Sequence, residues 1–99
     1  MESNGVCINV LNKSAAVGDT PVELTKSEYE LLLFLIGNKN RVISKSAMAE
    51  HLSGDMADMM DNHDFVYTHI KNLKAKLASA GCKDCIKNVY GTGYKWAEP

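Results

Sequence analysis

The 99 residues predict an α+β domain with an N-terminal antiparallel β-sheet, three helices and a C-terminal β-hairpin. Three observations carry this. Short alternating apolar runs separated by tight-turn residues fill the first quarter of the chain. Stretches of helical periodicity follow, the longest being DFVYTHIKNLKAKL at 64–77. Last, KNVYGTGYKW at 87–96 sets two strand-like runs around a glycine-rich centre.

Composition bounds the rest. With 45% hydrophobic and 23% charged residues, the chain reads as one globular domain able to bury a modest core. It has no run of about eighteen apolar residues to cross a membrane. The start, MESNGVCINV, has neither a basic segment nor the long apolar segment of a signal peptide. A cytoplasmic protein with no membrane partner is the expectation. Net charge is −1, but it is unevenly spread. Residues 1–62 hold five Lys/Arg and nine Asp/Glu, whereas residues 63–99 hold six Lys and three Asp/Glu. An acidic front and a basic back suit a domain that turns one face to a polyanion.

In chain order, residues 1–4 are polar and read as frayed. Gly5 to Asn12 alternates as a strand, and Asn12-Lys13-Ser14 suits a turn. Ala15–Val17 and Val22–Leu24 read as two more short strands around Gly18-Asp19. Thr25-Lys26-Ser27-Glu28 is a capping box, with Leu24 placed for a hydrophobic staple. It opens a strongly apolar helix from Lys26 to about Gly37, which Gly37-Asn38 stops. Arg41–Ile43 is a brief extended connector. Ser44 caps a short helix that ends before Ser53-Gly54. The acidic, Met-rich DMADMMDN stretch reads as a loop with one or two methionines tucked inward. Asp61 or Asn62 caps the long helix, which runs to about Ala80 before Gly81. Ile86–Tyr90 and Tyr94–Trp96 then form the hairpin across Gly91-Thr92-Gly93.

In the long helix, Val66, Ile70, Leu73 and Leu77 fall within roughly 60° of one another at about 100° per residue. The opposite side carries Asp64, Thr68, Lys71, Asn72 and Ala75, with Lys74 and Lys76 flanking the stripe. Such a face is in most helices merely solvated. A short helix, a connection, a helix with a polar and cationic face, then a glycine-tipped hairpin is nevertheless the plan of a winged helix-turn-helix. On that plan the helix at about 62–80 enters a major groove, and the hairpin at 86–96 reaches adjacent backbone or minor groove. Lys71 and Lys74 suit phosphates, and Lys71 also a guanine edge. Thr68 suits a thymine methyl, Asn72 suits adenine, and Asp64 can accept from a cytosine amine. Tyr90 and Thr92 sit in the hairpin turn, with Lys87 and Lys95 near it. Tyr94 suits packing between hairpin and helix, and Trp96 suits a core anchor. His69 stands at the edge of the stripe, as a boundary side chain or a phosphate contact.

Cys82-Lys-Asp-Cys85 has the spacing of a metal or redox pair, but it stands alone. A structural zinc site needs about four ligands, and the odd count of three cysteines argues against a disulfide framework. Two incidental thiols in a loop are the expectation. No metal and no cofactor are called for. No phosphate loop, acid–base pair or triad points to an enzyme.

Three segments together resemble the C-terminal effector domain of OmpR/PhoB-type response regulators: Leu24-Thr25-x-x-Glu28-x-x-Leu31-Leu32, Val66-x-x-His69-Ile70-x-x-Leu73-x-x-Lys76-Leu77 and Val89-x-Gly91-x-Gly93-Tyr94. The resemblance covers about residues 6–97. It implies a four-stranded N-terminal sheet and a short strand at Arg41–Ile43 beside the hairpin. It also implies duplex DNA as partner, at direct-repeat sites, with a receiver domain elsewhere in the full-length regulator. An RNA polymerase contact is implied through the loop at Asp55, Met56, Asp58 and Met59. The few residues ahead of the first strand cannot hold a receiver, so the chain is expected to be either an excised C-terminal domain or a stand-alone regulator, and, since the family pairs on DNA through its receiver, a monomer in isolation. The chain departs from the family pattern with Asp64 and Tyr90 where arginine is usual, Tyr67 for aspartate, Lys74 for arginine and Leu52 for tryptophan. The alternative is a winged-helix protein-interaction module without DNA affinity, which Asp64 and the weak net charge favour.

Overall fold

A computed structural model describes residues 2–53 and 64–97, with Ser53 and Asp64 described in their backbone alone. Four strands come first: β1 (Glu2–Ser3), β2 (Val6–Asn9), β3 (Ser14–Val17) and β4 (Thr20–Val22). They form an antiparallel sheet in the order β1-β2-β3-β4. Helices α1 (Lys26–Gly37), α2 (Lys45–Ser53) and α3 (Asp64–Ala80) follow, with strand β5 (Val42–Ser44) between the first two. The hairpin strands β6 (Ile86–Val89) and β7 (Gly93–Trp96) pair with β5 in the order β5-β7-β6.

The local signals account for most of these elements. Thr25 accepts from the Glu28 N–H at 3.2 Å, and the Glu28 carboxylate accepts from the Thr25 N–H at 3.0 Å. This closes the capping box and satisfies two donors at the start of α1. At its other end, the Asn38 side-chain amide donates to the Phe34 carbonyl at 2.9 Å. Ser44 accepts from the Ala47 N–H at 3.1 Å and so caps α2. Gly81 ends α3 at φ 114°. Its N–H donates to the Ala78 carbonyl and the Cys82 N–H to the Leu77 carbonyl, the paired bonds of a Schellman stop.

Four expectations need correction. The strand expected at Val22–Leu24 lies two residues earlier, as β4, because Thr20 to Val22 are the residues that pair with Val17 to Ala15 across the Gly18-Asp19 turn. Residues 2–3 are a strand rather than a frayed end. Asn4 and Gly5, at φ 54° and 81°, make a two-residue hairpin turn that folds β1 onto β2. The first long strand is also shorter than its alternation suggested: it stops at Asn9, and Val10 and Leu11 project into solvent in the turn. Finally, Cys82 and Cys85 are joined as a disulfide, with Cα atoms 6.3 Å apart. The left-handed backbone of Asp84 (φ 59°) turns the loop on itself. The odd cysteine is Cys7, whose thiol is free.

The core gathers the inner faces of both sheets and all three helices. Trp96, Leu31, Leu32, Leu35, Met48, Ile70, Leu73, Leu77, Val6 and Val66 are its largest fully buried members. The Trp96 indole N–H donates to the buried Ser3 hydroxyl at 2.7 Å, and the Asn4 amide donates to the Ala97 carbonyl. These two bonds tie the N-terminal sheet to the hairpin sheet. The resemblance placed the short strand beside the hairpin at Arg41–Ile43; it lies one residue later, with Ser44 opposite Gly93. A Cβ on Gly93 would sit 2.0 Å from the Ile43 carbonyl oxygen. Gly93→Ala must therefore push β5 and β7 apart. It is expected to lower stability by about 1–3 kcal/mol, read as a shifted urea midpoint, whereas an unchanged midpoint would show that the strands yield without cost.

Candidate nucleic-acid interface

Burial sorts the side chains of α3. Val66, Ile70, Leu73 and Leu77 face the core, while Tyr67, Thr68, Lys71, Asn72, Lys74 and Ala75 are exposed. Four of the expected contact residues thus share one open face: Thr68, Lys71, Asn72 and Lys74. Asp64 is the first residue of α3. The expected contacts at Asp55, Met56, Asp58 and Met59, and the cap at Asp61 or Asn62, lie outside the described residues.

Lys76 is turned away from that face. Its ammonium meets the Glu28 carboxylate at 2.5 Å, and Glu28 is otherwise buried at the head of α1. One carboxylate therefore closes the α1 capping box and grips α3. Burial pushes the Glu28 carboxyl up. The hydrogen bonds from Lys76 and the Thr25 N–H, with the charges of Lys76 and His69, outweigh burial and hold it below the ordinary carboxylate range. His69 is half-buried, as its place at the edge of the stripe suggested.

The hairpin projects beside α3. Its turn places Tyr90 at the tip, 97% exposed, with Gly91 at φ 77° and the Thr92 N–H bonded to the Val89 carbonyl at 2.9 Å. This is the pattern of a type II turn, in which glycine supplies the positive φ. Thr92 is exposed, and Lys87 stands opposite Lys95 across the strands. Tyr94 and Trp96 are buried, so both pack as expected. Burial raises the Tyr94 phenol above its ordinary range, with a smaller contribution from Tyr67.

Between helix and hairpin lies a notch of about 240 Å³ lined by Tyr67, Ile70, Lys71, Lys74, Asn88 and Tyr94. Two lysines, an asparagine and two tyrosines line it, residue types suited to an anionic group of phosphate size. Sequence reasoning singled out neither Tyr67 nor Asn88 as a contact. The signal for Tyr67 is its helical position beside Thr68 and Lys71. For Asn88 it is the two-residue period of a strand, which puts it on the same face as Ile86, where it pairs with Tyr94 across the hairpin.

This architecture, a helix with an outward polar and cationic face beside a glycine-tipped wing, is that of a winged helix-turn-helix domain. Residues 19–96 match the family described as "Transcriptional regulatory protein, C terminal". The chain belongs to that family, as an effector domain of the OmpR/PhoB response-regulator type. The family is one of transcription regulators and not of enzymes.

Among its relatives, the "Regulatory protein VanRB" of Enterococcus faecalis is 37% identical over 79 residues, 80% of this chain and 33% of that protein. The "Transcriptional regulatory protein QseB" of Haemophilus influenzae is 35% identical over 94 residues, 95% of this chain and 40% of that protein. The chain therefore spans about a third to two fifths of these relatives. A similar fold, at a TM-score of 0.83 and 26% identity, is the Klebsiella pneumoniae RstA DNA-binding domain, solved in complex with the RstA box. That match covers 98% of this chain and 95% of the other.

The Glu28 linkage gives a pH prediction. A carboxylate whose folded pKa is depressed adds stability above its unfolded pKa, near 4.3, and loses it as pH falls through the folded value. Urea melts are expected to show stability falling below about pH 4, and Glu28→Gln is expected to flatten that fall. An equal acid slope in both chains would remove Glu28 from this role.

Proposed function

We propose that this chain binds duplex DNA sequence-specifically to regulate transcription, as the effector domain of a two-component response regulator. The observation that carries the proposal is the shared open face of Thr68, Lys71, Asn72 and Lys74 on α3, flanked by the exposed tip of the hairpin. A major groove admits an α-helix, and the buried stripe leaves this face as the one α3 can offer. Family membership, and the RstA domain solved with its DNA box, support the same reading.

On this proposal α3 lies in the major groove. Lys71 and Lys74 neutralise phosphates, and the notch they share with Tyr67, Asn88 and Tyr94 takes one backbone phosphate. Asn72 reads an adenine edge, Thr68 a thymine methyl, and Asp64 a cytosine amine. Tyr90 and Thr92 touch adjacent sugar or phosphate. The full-length regulator acts in the cytoplasm, binds direct repeats through a head-to-tail pair of these domains driven by a receiver domain, and meets RNA polymerase through the segment at 53–62.

Counterion release supplies the test. Lys71→Ala with Lys74→Ala is expected to weaken duplex binding at least about tenfold and to flatten the log–log salt slope by about one unit per lost phosphate contact. A gel-shift series from about 50 to 200 mM salt reads both quantities. Asn72→Ala, by contrast, is expected to relax preference at one base while leaving the slope unchanged. A folded chain that binds no duplex even near 50 mM salt would favour a protein-interaction module instead.

A further inference from the structure

The loop that joins α3 to the hairpin carries chemistry that DNA binding does not use. Cys82 is the first residue beyond the Gly81 stop and holds the helix end through its N–H bond to the Leu77 carbonyl. Cys85 immediately precedes β6, and its carbonyl accepts from the Ala97 N–H at 2.9 Å, just beyond β7. The disulfide therefore staples the end of the reading helix to the root of the wing. The Cys82 sulfur also lies 3.8 Å from the Asn4 carbonyl oxygen, in the turn that binds Ala97. One two-residue bridge thus touches the N-terminal sheet, α3 and the hairpin.

Each cysteine is only 6% exposed, yet both line two cavities. One, of about 380 Å³, is also lined by Lys74, Leu77 and Ile86. The other, of about 280 Å³, is also lined by Asn4, Gly81 and Ala97. Lys74 lines both the first cavity and the notch between α3 and the hairpin. The bridge and the notch thus share a lining residue that is also a proposed DNA contact. Cys7 is a poor competitor, because its thiol donates to the Glu2 carboxylate at 3.0 Å and that bond raises its pKa.

We propose that Cys82 and Cys85 form a reversible thiol–disulfide site, exchanged by low-molecular-weight thiols and disulfides, that couples α3 to the wing and thereby sets duplex affinity. In oxidation, one thiolate of the pair attacks a sulfur of a small disulfide, forming a mixed disulfide and releasing one small thiolate. The other attacks the protein sulfur of that intermediate, closing the Cys82–Cys85 bond and releasing the second. Two protons leave the protein thiols, and the small disulfide takes up two electrons. The reducing cytosol favours the dithiol, so the bridge closes under disulfide stress. The oxidised form fixes the wing root against the helix end. The dithiol keeps the backbone bonds and the burial of both cysteines but lacks the cross-link, which loosens the notch around Lys74.

The effect on affinity rests on the DNA-binding reading, so the test has a readout independent of it. The whole chain is equilibrated in reduced and oxidised glutathione buffers, alkylated and weighed. Hydrogen exchange over residues 86–97 and duplex affinity are measured on the same samples. Oxidation is expected to protect two thiols from alkylation, slow exchange over 86–97 and raise duplex affinity about fivefold, the low end of ordinary site coupling. Cys7→Ser is expected to keep the response, and Cys85→Ser to behave as the reduced chain in every buffer. Full alkylation in the most oxidising buffer, equal exchange over 86–97, or equal measurable affinity in the two forms would overturn the proposal. If neither form binds duplex while exchange still follows redox state, the coupling of loop to wing stands and the DNA reading falls.

Discussion

The burial of one stripe on α3 constrains the rest of the molecule. Val66, Ile70, Leu73 and Leu77 are all but sealed from solvent. Burying four such side chains contributes roughly 6–12 kcal/mol before entropy is counted. Turning α3 by one residue, about 100°, would expose that stripe and drive Lys71 or Asn72 into the core. Lys74, Thr68, Lys71 and Asn72 are therefore held outward by packing and not by any preference of their own. Glu28 adds direction to that packing. Its carboxylate joins the start of α1 to Lys76 on the flank of α3, so the helix is set in rotation and along its length.

The hairpin depends on a second set of contacts. Trp96 fills the core beneath it and donates to Ser3, and Gly93 lets β5 approach where no side chain fits. The wing is thus anchored at its root and open at its tip, where Tyr90 is almost wholly exposed. Anchored strands with an exposed turn give a probe of fixed direction. The open face of α3 and the wing tip are positioned by the same core, so their spacing is a property of the fold.

Much of this was legible in the sequence because the signals are local. The capping box at Thr25–Glu28, the four-residue stripe of α3 and the glycines at 91 and 93 each act within a few positions. What escaped depends on contacts far apart in the chain. β1 is two residues long, too short to show alternation, and its strand character comes from pairing with β2 and from Ser3 meeting Trp96. The Asn4-Gly5 turn was nonetheless a readable hairpin signal. The Cys82–Cys85 bridge depends on how closely the loop brings two Cα atoms, which spacing alone does not encode. The sequence set Lys76 at the flank of the stripe, but its partner, Glu28, lies 48 positions earlier and no local pattern announces it. The notch is likewise nonlocal, since Tyr67 and Asn88 meet only when hairpin and helix pack.

The central claim is that α3 reads DNA with the face its packing leaves open, and that the wing stands beside it. Backbone amide shifts of the isotope-labelled chain, followed during titration with a duplex selected from a random pool, test it most directly. The largest shifts are expected at Tyr67, Thr68, Lys71, Asn72, Lys74 and the turn at 90–92, with the N-terminal sheet nearly silent. Shifts concentrated on β1–β4, with the open face of α3 unmoved, would contradict it.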